Sequence, residues 1–165
     1  MEMIEMVEDH YTPDITDYSK KELALVLSTV KKPCCLIGGW AVYFHVKDNF
    51  KDKHGRDYIG SRDIDLGVHV DPSWSKDELE ESSVGITLKS IENDLGYIKS
   101  RFGFVKYFER ETGKKISEEE SKELSLFEIF PVYIDIIPDT VELDVFKDVF
   151  GFKPPSGSSF MIPIS

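Results

Sequence analysis

The chain has no apolar run of about 18 residues, so nothing in it reads as a membrane-spanning helix. Cysteine is nearly absent: Cys34 and Cys35 are the two, and they are neighbours. Adjacent cysteines rarely reach disulfide geometry, and no other ligand is spaced to complete a metal site with them. They lie in the apolar stretch "CCLI" and read as reduced core residues, which predicts a reducing, cytoplasmic setting. Basic residues are scarce, with 20 Lys and Arg against 31 Asp and Glu, a net charge of −11. That balance counts against nucleic acid as a partner without excluding a small basic pocket. It leaves many carboxylates that can hold divalent cations. The opening "MEMIEMVEDH" lacks the basic region and apolar core of a signal peptide, and there is no internal repeat.

What is present fits one domain over residues 1–165. Hydrophobic residues make up 41% and aromatics 12%, enough for a real core. Ser19 and Glu22 in "SKKEL" match a capping box and predict a helix over about 19–31, stopped by Pro33. "CCLI" (34–37) reads as a short strand ending at Gly38 and Gly39. "WAVYFHV" (40–46) suits a strand or a helix equally. "KDNFKDKHGRDYIG" (47–60) reads as a loop, "DIDLGVHV" as a strand, and 76–95 as one helix closed by Gly96. "RFGFVKYFER" and "FEIFPVYIDIIP" read as strands, the second with Pro131 at an edge or a bulge. Ser117 and Glu120 predict a capping box for a short acidic helix. The last stretch is rich in Pro, Gly and Ser. Helices and strands mix without strict alternation, which predicts an α+β fold with a mixed sheet.

The chemistry concentrates in "SRDIDLGVHV" (61–70). Aspartate is depleted in strands, yet Asp63 and Asp65 stand two apart and so on one face. Two such carboxylates repel unless a cation or a proton lies between them, and oxygen-rich pairs suit Mg²⁺ or Mn²⁺. The plainer alternative is that Asp63 caps the start of the strand and Asp65 faces water. Upstream, a glycine pair follows a short strand, where backbone N–H groups can approach a phosphate closely. Downstream, "VYIDIIP" sets Asp135 inside a strong strand, with Asp139 in phase with it. His69 is in phase with Asp65. Lys106 in "FVKYF" reads as solvated, and Trp40 and Trp74 as packing residues.

Gly38-Gly39-Trp40, Ser61-Arg62-Asp63-Ile64-Asp65-Leu66 and Asp135 within 133–137 together resemble the nucleotidyltransferase superfamily with the DNA-polymerase-β-type fold. The nearest flavour is the group that includes aminoglycoside and lincosamide nucleotidyltransferases and abortive-infection nucleotidyltransferase toxins. The resemblance implies a mixed sheet flanked by helices, an NTP donor such as ATP, two divalent metals, and transfer of a nucleoside monophosphate to an acceptor. It implies Asp63, Asp65 and Asp135 as metal ligands and catalytic residues. It places Gly38, Gly39, Ser61 and Arg62 around the nucleotide. Gly39 stands where the family often has serine, so that phosphate contact falls to the backbone or to Ser61. The gap from Gly39 to Asp63 is long for the family, and a helical segment after the last strand is expected to be missing. The competing expectations are a catalytically silent module that binds nucleotide or a partner protein, and a domain that uses a cation for stability alone.

Overall fold

The computed structural model describes residues 13–154. Six strands form one mixed sheet flanked by helices. In chain order the elements are α1 (Pro13–Thr29), β1 (Cys34–Ile37), α2 (Gly38–His54), β2 (Ile64–Val68), α3 (Lys76–Glu81) and α4 (Ser83–Asn93), followed by β3 (Ile98–Lys99), β4 (Gly103–Glu109), β5 (Lys115–Ile116), α5 (Glu118–Glu123), β6 (Ile129–Pro138) and α6 (Asp144–Phe150). The sheet order is β1-β2-β6-β4-β3, with β5 also on β4. Only β2 and β6 run parallel; the other pairs are antiparallel. The α+β expectation holds at this level. Among the described residues no helix is long and apolar enough to cross a membrane.

Register explains the layering. Ile64, Leu66 and Val68 of β2, Phe130, Val132, Ile134 and Ile136 of β6, and Phe104 and Phe108 of β4 share one face. All are buried, in one cluster with Leu23 and Val26 of α1, Leu79 of α3, Leu88 and Ile91 of α4, and Phe146 and Phe150 of α6. The alternate residues, among them Asp65, Tyr133, Asp135 and Ile137, are half-buried on the opposite face. That face carries the candidate site. Pro131 pairs with Tyr107 of β4, while β2 joins β6 only from Ile134 onward, so the proline lies where β6 has one neighbour.

Several local expectations need correction. Helix α1 begins at Pro13, so Ser19 and Glu22 lie inside it and cap nothing. Proline is well suited to a first helical position because its φ is already helical and its missing N–H would have had no partner there. Ser19 and Glu22 are in phase with Leu23 and Val26 and are buried with them. Glu22 Oε2 accepts from Lys106 Nζ at 2.6 Å and from the Tyr97 hydroxyl at 2.8 Å, so Lys106 is a buried partner and not a solvated lysine. Burial, with the Glu22 carboxylate beside it, drives the Tyr97 hydroxyl far above the ordinary tyrosine range.

The stretch 47–60 is helix as far as His54. It ends at Gly55, whose φ of 66° is left-handed, with Lys51, Lys53 and His54 in the last turn facing the negative end of the helix dipole. The residues 76–95 form two helices, not one. Ser82 is extended between them, and its hydroxyl caps α4 by accepting from Gly85 N at 3.2 Å. Gly85 permits the crossing, since a Cβ there would collide with the carbonyls of Leu79 and Glu80. The capping box at Ser117 and Glu120 is present with both of its bonds. Cys34 is half-buried, with its thiol pushed up to about 11 by burial and by Cys35, whereas Cys35 is exposed and is no core residue. A helix does follow the last strand: α6 packs Phe146 and Phe150 into the core. Most of the Pro/Gly/Ser-rich tail, 155–165, lies outside the described residues.

Candidate functional site

The site is built where β1 turns into α2. Ile37 is extended, and Gly38 opens the helix with φ 66°, a conformation that suits glycine. Space makes the same demand: a Cβ at Gly38 would collide with Asp65 Oδ2. A Cβ at Gly39 would meet Ser61 Oγ at 2.7 Å. The glycine pair therefore lies directly against Asp65 and Ser61. No side chain caps the start of this 17-residue helix, and no acidic residue occupies its first turn. Its first backbone N–H groups thus end beside the Asp65 carboxylate.

Asp65 is the Cα partner of Asp135 across the parallel β2–β6 ladder. Neighbouring strands lie ~4.8 Å apart, so the two carboxylates leave the same face side by side. Asp63 sits one residue before β2 rather than within it, and alternation returns it to that face. Its Oδ1 is buried and has no hydrogen-bond partner, which rules out the simple capping role. All three carboxyls are held above the ordinary aspartate value. Burial is the main cause for each. Asp65 is raised to about 6, with the charges of Asp135 and then Asp63 adding to burial. Asp63 also raises Asp135, while Arg62 pulls Asp63 back down. Each aspartate therefore shares a field with another.

Three neighbouring carboxyls that resist ionisation, one of them with a buried unpaired oxygen, form a donor set suited to a hard divalent cation. Among the described residues, however, no three His, Cys, Asp or Glu side chains are grouped to hold a metal ion as they stand. Ionised carboxylates repel one another, and that repulsion opposes closer grouping without a counter-charge.

Other predicted residues go elsewhere. Asp139 lies past β6, at the other end of the strand pair. Its Oδ2 is 2.6 Å from His69 Nδ1, and its Oδ1 accepts from Val70 N at 2.9 Å. Asp135, not Asp139, thus faces Asp65. His69 shares the face of Asp65 but is four residues along, beside a cavity of about 390 Å³ that Cys34 and Cys35 also line. Arg62 lies over the Phe130 ring, 6.0 Å from its centroid, on the core side, and its Nε is buried without a partner. Among the described residues no carboxylate pairs with it as a salt bridge. Trp40 is buried and packs against Gly60, as a packing residue should, and Trp74 meets the His69 ring edge-on.

The bracing role of Ser19 escaped the sequence reading. Ser19 Oγ donates to the Arg62 carbonyl at 2.8 Å, and Trp40 Nε1 donates to Ser19 Oγ at 3.2 Å. The available signal was periodicity, because a serine in phase with the apolar stripe of α1 has to be buried. Comparison of the chain with protein-family models, curated proteins and solved structures finds no match in any of the three.

Proposed function

We propose that this protein is a metal-dependent nucleotidyltransferase that moves a nucleoside monophosphate from an NTP to an acceptor oxygen. The observation that carries the reading is the pairing of Asp65 with Asp135 across parallel strands, with Asp63 beside them, against an uncapped helix start at Gly38. Asp63, Asp65 and Asp135 are the residues that would hold Mg²⁺ or Mn²⁺. Bound divalent cations supply a more acidic acceptor hydroxyl and neutralise charge on the departing pyrophosphate.

The remaining roles belong to the chain. Backbone N–H groups at the start of α2 donate to phosphate oxygens of the donor, and the missing Cβ atoms of Gly38 and Gly39 let Asp65 and Ser61 stand against that helix start. Ser61, packed on Gly39, offers a hydroxyl to the same oxygens. The acceptor oxygen forms its new bond to the α-phosphorus as the bond to pyrophosphate breaks. Asp135 takes or orients the proton that the acceptor loses. Arg62, next to Asp63, lowers the pKa of that carboxyl, with its guanidinium over the Phe130 ring.

The rival reading is a silent module that binds nucleotide or a partner protein. Mg²⁺-dependent pyrophosphate release from each of the four NTPs, measured beside binding by calorimetry, separates the two. Binding with release supports the transferase, binding without release supports the silent module, and stabilisation by Mg²⁺ alone supports a cation-dependent structural domain.

A further inference from the structure

We propose that Ser19 is a positioning residue for the candidate site: its hydroxyl ties residues 60–63 to α1 and α2 and so sets where Asp63 and Ser61 stand. The functional consequence rests on the nucleotide reading above, whereas the brace itself does not.

Ser19 is fully buried in the middle of a 17-residue helix. A serine there usually bonds back to the carbonyl one turn earlier or faces water. This one does neither. It donates to the Arg62 carbonyl, 43 residues away, and accepts the Trp40 indole N–H. Trp40 belongs to α2, directly after the glycine pair. Its ring bears on Gly60, where a Cβ would lie 2.5 Å from it. Residues 60–63 have no strand pairing of their own, because β2 starts at Ile64. They are held by Trp40 at one end and by Ser19 at the other, with Ser61 seated on Gly39 between.

The Arg62 carbonyl and the Asp63 N–H share one planar peptide unit. Anchoring the carbonyl restrains that plane, and with Ile64 paired to Ile134 on the other side it narrows the direction in which the Asp63 side chain leaves the backbone. Asp63 needs such help, because its buried Oδ1 has no partner to orient it. Only a group that both donates and accepts at this point can hold both partners. Alanine would leave an indole N–H and a carbonyl unpaired in the interior.

The test compares Ser19→Ala, Ser19→Thr and Tyr97→Phe by NMR. Tyr97→Phe removes a different polar bond of α1, the one at Glu22, which does not involve residues 60–63. In Ser19→Ala, backbone order parameters at 60–63 fall from about 0.85 toward 0.6 while the core strands stay rigid, and the backbone amide resonances of Ser61 and Asp63 move. Ser19→Thr restores both. Tyr97→Phe lowers Tm and changes neither. Loosening that is uniform, or equal in Ser19→Ala and Tyr97→Phe, overturns the brace, as does a rigid 60–63 segment in Ser19→Ala. Should Ser19→Ala not fold, Ser19→Cys keeps the volume and weakens both bonds, and the same local pattern at lower amplitude decides the matter. Titration of wild type with Mg²⁺ and ATP is read separately. Its failure beside an intact local pattern removes the nucleotide reading and leaves the brace. Equal ATP affinity in wild type and Ser19→Ala overturns the functional consequence.

Discussion

Replacing Asp65 by Asn removes a charge that the fold holds at a disadvantage. The folded chain keeps this carboxyl protonated up to about 6, against an ordinary value of 3.8. The folded state therefore binds the proton more tightly than the unfolded state. Its stability falls as pH rises from about 4 to about 6, and the full penalty applies above that. At 1.36 kcal/mol per pH unit the gap corresponds to roughly 3 kcal/mol, and partial solvation of the half-buried carboxylate trims it to roughly 1–2 kcal/mol. Asp65→Asn should then be more stable than wild type by that amount at pH 8, a Tm gain of roughly 3–6 °C for a domain of this size. At pH 4 and below the difference should vanish, because wild type is itself neutral there. Thermal unfolding followed by circular dichroism at half-unit steps from pH 4 to pH 8 measures this. Repeating the series with millimolar Mg²⁺ adds the second half: wild type gains stability above pH 6 and Asp65→Asn does not. A variant destabilised to the same extent at every pH would refute the reasoning, since Asp65 would then be held by bonds the charge argument ignores.

Asp135→Asn keeps most Mg²⁺-dependent ATP affinity in calorimetry and loses turnover by about a hundredfold or more, a loss confined to the transition state. Divalent-cation affinity, followed by titration, weakens as pH falls below about 6, because the cation must displace the proton that Asp65 then carries. Gly39→Ala is destabilised by its collision with Ser61, and adding Ser61→Gly recovers most of the lost Tm because both close atoms belong to that side chain. Lys106→Met leaves Glu22 buried without its cation and lowers unfolding stability by roughly 3 kcal/mol in urea titration, with the midpoint moving and the slope unchanged.

The longer strands β2, β4 and β6 were legible because a two-residue period repeats over runs of β-branched and aromatic residues, and tertiary contacts reinforce that pattern; the two-residue strands β3 and β5 are too short to show a period. The extent of α2 was not. Residues 47–54 are mostly charged, and a solvated helix face without an apolar stripe has the composition of a loop. The helix continues there because its first turns are anchored by Trp40 and because Gly55 supplies a left-handed stop. The break at Ser82 was hidden for the opposite reason, since the periodicity of 76–95 survives a reset in which one serine ends one helix and caps the next.

The same distinction separates the two halves of the candidate site. Asp63, Asp65 and Asp135 stood out because an ionisable residue in or beside an apolar strand has no local reason to be there, and its anomaly shows against its immediate neighbours. Ser19 did not stand out. Serine with glutamate three residues later is a sound helix-start signal, and local chemistry offered a complete explanation for both. What overrides it is the burial of Ser19 and Glu22 with Leu23 and Val26, which commits their polar atoms to partners 21 and more residues away. A site's charged groups can thus announce themselves in sequence while the groups that hold them in place pass as ordinary punctuation. The search for supporting residues should begin with polar side chains in phase with an apolar stripe, whatever local motif they also complete.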